Sequence, residues 1–374
     1  MAAVLDRRTF LKRTGGFSAV TALMGAPLLA QESGCTVGPP PPAPTPVLLG
    51  THAPAAAQPS AWGRRLQELV IFDGQVFVGY GDWGANTGPM QMVGWEIASG
   101  TWTTENTLDT ECTWLIRRVG DRLVAPFIDR RVASGDLAVR SLGSPTWTTL
   151  KLGNTVPVSW HAFDAATLDG TDLFIAGAKQ STKEGLVWRS PSGLGGDWVQ
   201  SLVIPSPGGR YVRNTMLAAH GGLLYTGGYH YNGVEPFDPL GLEGQAFDGS
   251  AWTQAPGFSQ LAVDNNQAGH SPHAFDGGVV RRRSWPSTAA AVDVLFFDGS
   301  SLAVGPDLAF DHTVDERGWL WFLAQDGTIR WQPSWSTPSI EWATAPAGAS
   351  CIAVDASAVY VGTATSELYR LTPS

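Results

Sequence analysis

Seven short apolar stretches recur along the chain: QVFVGYGD from Gln75, RLVAPFID from Arg122, DLFIAGAK from Asp172, LLYTGGYH from Leu223, GVVRRRSW from Gly278, WLWFLAQD from Trp319 and AVYVGTAT from Ala358. Their starts lie 39 to 55 residues apart. Most are rich in β-branched and aromatic residues, which suit a pleated, half-buried surface; the fifth is the poorest match. Each follows a shorter apolar run and a tight turn, as in Leu69-Val70-Ile71-Phe72 before Asp73-Gly74, or Met216-Leu217-Ala218-Ala219 before Gly221-Gly222. Asp-Gly and Gly-Gly pairs supply the positive φ angles of two-residue hairpin turns. A third run follows, such as Gly94-Trp95-Glu96-Ile97, then a fourth that carries Trp102, Trp147, Trp198, Trp252 or Trp342, with Leu302 in the place between the last two. The pattern predicts an all-β chain: a seven-bladed β-propeller of four-stranded antiparallel blades over residues 61–374. The last unit, Ser350 to Ser374, holds only three strands, and an open edge is an aggregation hazard. Closure therefore calls for a strand from between Pro46 and Pro59, with Val47-Leu48-Leu49 as the candidate.

Composition agrees with this reading. Only 15% of the 374 residues are charged, while Gly (44), Pro (26) and Trp (16) are abundant, which suits short strands and turns rather than a helical bundle. The formal net charge is -9, and loss of Met1–Ala30 makes it about -12 by removing Arg7, Arg8, Lys12, Arg13 and Asp6. That excludes general nucleic-acid binding, which needs a basic surface. Cys112 and Cys351 sit in apolar stretches of non-adjacent units and read as buried thiols rather than a disulfide.

Arg7-Arg8-Thr9-Phe10-Leu11-Lys12, followed by the apolar run Gly15 to Ala30, resembles a twin-arginine signal peptide, assigned to residues 1–34. The run is too short and too broken by Gly25 and Pro27 to span a membrane. The resemblance implies export to the periplasm or the extracellular space. Two ends fit: cleavage after Leu28-Leu29-Ala30, or lipidation of Cys35, since Ser33-Gly34-Cys35 resembles the end of a lipobox although Glu32 departs from it. Residues 35–60 read as a Pro/Ala-rich tether, because Pro39 to Pro46 favours an extended polyproline spacer. Membrane contact is expected only through a lipid at Cys35.

The fourth strands SGTWT from Ser99, SPTWT from Ser144 and GSAWT from Gly249 resemble the BNR, or Asp-box-like, repeats of sialidase-type propellers. No copy of the full Asp box, Ser-x-Asp-x-Gly-x-Thr-Trp, is complete. The resemblance implies the fold and does not transfer a sialidase activity.

In such a fold the start of each inner strand and the end of each second strand share one face. At or just before the starts are Glu111, His161, Arg213, Asn214, His270, His273 and His312; at the ends are Tyr80, Asp82, Asp129, His230, Arg281, Arg282, Arg283 and Trp285. The long connections also fall on this face, where binding usually resides. The expected site is one concave mouth of positive potential. His161, His230, His273, His312, Tyr80 and Asp82 are its catalytic candidates, and Trp83, Asn86, Asp129, Arg213, Asn214, Tyr231, Arg282 and Trp285 its ligand-binding candidates. His52 falls in the tether and His220 on the opposite face. His270-x-x-His273 does not match a strong zinc spacing, so no metal is assigned and the cofactor is left open. The fourth-strand tryptophans read as packing between blades rather than as a sugar-stacking row.

Two function classes fit. One is ligand binding at the mouth without catalysis, the ligand being an anionic glycan, or a protein partner at the cell envelope. The other is a glycan-cleaving lyase or hydrolase, in which arginine neutralises a carboxylate or sulfate and histidine or tyrosine moves a proton. A glycosidase needs two acids across the bond, and nothing pairs Asp82, Asp129 and Glu111. A monomer is expected.

Overall fold

The computed structural model describes residues 44–128, 136–152, 161–179, 181–233, 240–259, 272–282 and 291–373. The signal-like segment, Cys35, Asp129, His270, Arg283 and Trp285 lie outside the described residues, and so does the side chain of Trp83.

Among the described residues the strands form six antiparallel sheets, four of four strands, one of five and one of seven, and the last divides into two blade-like units that share a strand. In chain order the first unit runs Glu68–Phe72, Gln75–Gly79, Met90–Glu96 and Thr101–Leu108. The second has Arg117–Val119 innermost, the third His161–Ala166, the fourth Tyr211–His220 and the fifth His273–Phe275. The fifth and sixth share the long strand Leu302–Val314: Leu302–Val304 completes the fifth, and Ala309–Val314 opens the sixth by pairing with Leu320–Ala324. The seventh contains Ala349–Val354, Val359–Thr363 and Glu367–Leu371. Val47–Thr51 supplies its fourth strand, antiparallel to Glu367–Leu371, so both chain ends build one blade.

The apolar core is a ring of wedges between neighbouring blades. Phe72, Phe77 and Met92 of the first blade meet Leu123, Phe127 and Trp147 of the second, and Phe174 and Val187 of the third meet Leu217 and Phe247 of the fourth. Leu69, Val76 and Tyr80 of the first meet Ala353, Tyr360 and Leu368 of the seventh. The fourth-strand tryptophans sit at these wedges: Trp147 is edge-on to Phe77 at 6.0 Å, and Trp342 is edge-on to Trp321 at 5.3 Å. The structure is a β-propeller, and its strand order is consistent with seven blades.

Turns and bulges set where side chains point. Asp73 and Gly74 take φ of 52° and 76°, as a two-residue hairpin requires. At several hairpins an aspartate braces the turn. Asp248 Oδ1 accepts Ser250 N–H at 2.8 Å, its hydroxyl at 2.7 Å and Ala251 N–H at 2.8 Å. The same brace recurs at Asp298 and Asp355. Inner strands of the third, fourth, sixth and seventh blades carry a register shift near their start, as between Ala162 and Asp164 and between Ala309 and Asp311. The bulge turns Asp164 and Asp311 toward the next blade, where they accept the N–H of Leu217 and Ile352 at 2.7 and 2.8 Å.

Candidate functional site

The residues expected at one mouth fall into three neighbourhoods. The first is the rim of the first blade, where side chains are spent on holding the chain. Tyr80 is buried, its hydroxyl donating to Gln91 C=O at 3.2 Å and accepting Gln91 N–H at 2.9 Å, and burial pushes its pKa up to about 12. Asp82 Oδ1 accepts N–H from Gly84 and Ala85 at 2.9 and 3.2 Å, and Oδ2 accepts the Ser60 hydroxyl. Asn86 is exposed with φ of 49° and sets the loop's shape. The Glu111 carbonyl accepts the Thr87 hydroxyl at 3.1 Å, which ties the same loop to the entry of the second blade. Tyr80 and Asp82 therefore act as scaffold, because their polar atoms are turned inward by the loop they brace.

The second neighbourhood is the central channel, a cavity of about 300 Å³ lined by Glu68, Arg117, His273, His312 and Glu316 among others. Arg117 starts the inner strand of the second blade and crosses to other blades. It pairs with Asp164 at 3.2 Å and donates to the carbonyls of Ala165, Leu217 and Pro272 at 3.3, 3.4 and 3.1 Å. His273 and His312 meet edge-on at 5.3 Å. His312 is buried with Nε2 3.4 Å from the Val280 carbonyl, while His273 is half-buried against the channel. Burial holds His273 well below the usual imidazole pKa, and the charges of His312 and Arg117 add to it. Burial raises Asp164 against the opposing pull of Arg117 and the Leu217 and Ala165 N–H groups. It raises Asp311 too, opposed by His312, the Ile352 and His312 N–H groups and Arg282.

Arg282 is 0% exposed and Arg281 is also buried. Arg282 was expected to line the mouth; instead its strand register turns it inward toward Asp311. Asn214 is likewise buried, its Oδ1 accepting the Thr226 hydroxyl at 3.0 Å.

The third neighbourhood is on the fourth blade and its border with the third. Arg213 lies over the rings of Tyr231 and Phe163 at 5.0 and 5.9 Å and donates to the Tyr229 hydroxyl at 3.2 Å. Tyr231 stacks on Tyr211 at 5.5 Å, and Lys183 Nζ lies 4.6 Å from the Tyr211 ring centre. His161 stacks on Phe163 at 5.2 Å and reaches the Ile128 carbonyl through Nδ1, buried below this surface. Arg210 Nε donates to His230 Nδ1 at 2.7 Å, which places the His230 proton on Nε2. So Arg213 and Tyr231 are brought together, with His161 beneath, while His230 alternates to the other side of its strand and meets Arg210.

Lys183, Arg210, Tyr211 and Tyr229 had not been singled out in the sequence, nor had Arg117. The signals were present: Tyr211-x-Arg213 and Tyr229-x-Tyr231 alternate as one face of a strand does. Arg117-Arg118 puts charge where an inner strand is normally apolar. Among the described residues no cluster of three or more His, Cys, Asp or Glu is arranged to hold a metal ion. No helix among them is long and apolar enough to cross a membrane. Cys112 and Cys351 are both buried and not bridged to each other.

No protein-family model and no curated protein matches the chain by sequence. Solved β-propellers do match by shape. A virginiamycin B lyase from Staphylococcus aureus, an inactive variant bound to quinupristin, superposes with a TM-score of 0.52 at 10% identity, covering 82% of this chain and 94% of that one. YCF48 bound to D1 peptide gives 0.51 at 10% identity, covering 89% and 96%. At this identity the likeness is one of fold.

Proposed function

We propose that this chain is an exported, twin-arginine-dependent propeller that binds an anionic ligand, an anionic glycan, at the fourth blade on the face where the inner strands begin. One observation carries the reading: Lys183 and Arg213 are gathered against Tyr211, Tyr229 and Tyr231 on one side of the fourth blade. Aromatic faces hold Lys183 and Arg213 in place, so less side-chain entropy is lost when an anion arrives. Arginine then offers a carboxylate or sulfate two parallel donors. A few fixed cations beside low-dielectric walls dominate the local field even on an acidic chain.

The test is calorimetric titration with tetragalacturonate and with the uncharged cellotetraose, each at low and high salt. Tetragalacturonate binds, and more weakly as salt rises. Lys183→Ala and Arg213→Ala each weaken it about tenfold, or about 1.4 kcal/mol, with the circular dichroism spectrum unchanged. Equal binding of charged and uncharged sugar at this face, or full binding by both variants, overturns the reading.

A further inference from the structure

A cavity of about 480 Å³ opens on the flank of the first blade, between that blade and the segment that closes the ring. This is within the range of roughly 300–1,000 Å³ typical of small-molecule sites. Blade residues Tyr80, Gln91, Trp102 and Thr104 form one side, and Pro54 and Gln58 of the closing segment the other. None of its lining residues is charged. Tyr80 lies buried at its floor, with its hydroxyl committed to the Gln91 backbone in both directions. Trp102 is held edge-on between Trp95 at 5.2 Å and His52 at 5.3 Å.

Around the cavity several buried polar atoms lack hydrogen bonds. Trp102 Nε1–H and Gln58 Oε1 have no partner among the described residues, nor does Nε2 of His52, which packs against Trp102 and Tyr80. His52 Nδ1 accepts the Ala55 N–H at 3.2 Å, so its proton is on Nε2 and His52 is a second unmet donor. Buried polar atoms are rarely left so. Gln58 is only loosely tethered, its Nε2 donating to Pro54 C=O at 3.3 Å, so a small rotation turns its amide to the cavity.

We propose that this cavity binds a neutral saccharide, a pyranose ring lying against Trp102. A sugar presents a C–H face to an aromatic ring and a rim of hydroxyls that both donate and accept. Gln58, Gln91 and Thr104 offer both senses in return. An anion finds no cation here, and a hydrocarbon makes no use of the exposed Gln91 and Thr104 side chains. A proline-rich peptide suits aromatic walls but has few N–H groups, which leaves Gln58 Oε1 without a donor. Because the closing segment forms part of the wall, occupancy couples to ring closure and raises the melting temperature.

The full chain is titrated with chitotriose, with cellotriose and with the peptide Pro-Pro-Pro-Pro-Ala-Pro, following tryptophan fluorescence and melting temperature. At least one trisaccharide binds, equally at low and high salt, and raises the melting temperature. Thr104→Trp fills the cavity from an exposed strand position and weakens that binding tenfold or more, as does Gln58→Ala to a smaller extent. Lys183→Ala leaves it unchanged, which separates this site from the anionic one on the fourth blade. Binding of neither trisaccharide, full binding by Thr104→Trp, or a peptide that binds here while the sugars do not, overturns the proposal.

Discussion

A single guanidinium, that of Arg117, joins four blades through one ion pair and three carbonyls. Removing one member of a buried pair strands the other charge, at a cost of about 3–5 kcal/mol. Arg117→Met is therefore expected to lower the urea midpoint strongly, and Asp164→Asn in the same chain to recover part of the loss, because the orphaned carboxylate is gone. Additive losses in the double variant would show that the two side chains act separately. His52 offers a second test at this scale. It is 0% exposed, and burial lowers its pKa from 6.5 to about 3. The folded state thus resists protonation, so its contribution is complete above pH 6.5 and is lost as pH falls from there toward 3. The slope is about 1.4 kcal/mol per pH unit for one proton. His52→Asn keeps an acceptor for Ala55 N–H but does not titrate. Unfolding free energies at pH 7, 6 and 5 should therefore fall less steeply in the variant, and parallel curves would contradict the assignment.

At the scale of elements, the closing segment decides whether the ring holds. Val47–Thr51 covers the exposed edge of Glu367–Leu371, and Leu49 and Ala55 pack into the core between the seventh and first blades. A chain starting at Pro59 loses that edge pairing and wedge together. It is expected to melt about 10 °C lower or more and to self-associate through the bare strand on size-exclusion chromatography. Unchanged melting and a monomeric profile would mean the ring does not depend on this strand. The tether expected over residues 35–60 thus gives way, from Val47 onward, to structured chain. The need for such a strand was legible because three strands stood where the other units had four. The burial of His52 was not, since a histidine after a proline-rich run carries no mark of the tyrosine and tryptophan that will enclose it.

At the scale of the whole molecule, the repeat put many polar residues on one face, but the ring did not gather them at one point. Tyr80 and Asp82 brace the first blade, His273 and His312 meet in the channel, Arg213 and Tyr231 meet on the fourth blade, and His230 meets Arg210 on the other side of its strand. A strand end places a residue on a face; blade position then spreads those ends around the circle. The anionic-ligand reading consequently rests on one segment of the rim rather than on a continuous mouth.

Strand order and the missing fourth strand of the last unit are local matters, governed by alternation, turn residues and spacing, so the sequence by itself determined them. Which side chains meet was decided only by tertiary structure. Arg117 and Pro272 are 155 residues apart, and nothing near either names the other. Bulges turn Asp164 and Asp311 into the next blade, and a shift of one residue in strand register exchanges inward for outward. That is why Arg282, read from its place at a strand end as part of a binding surface, is buried beside Asp311, while Lys183 and Tyr211, unremarkable in sequence, come to stand together on the surface.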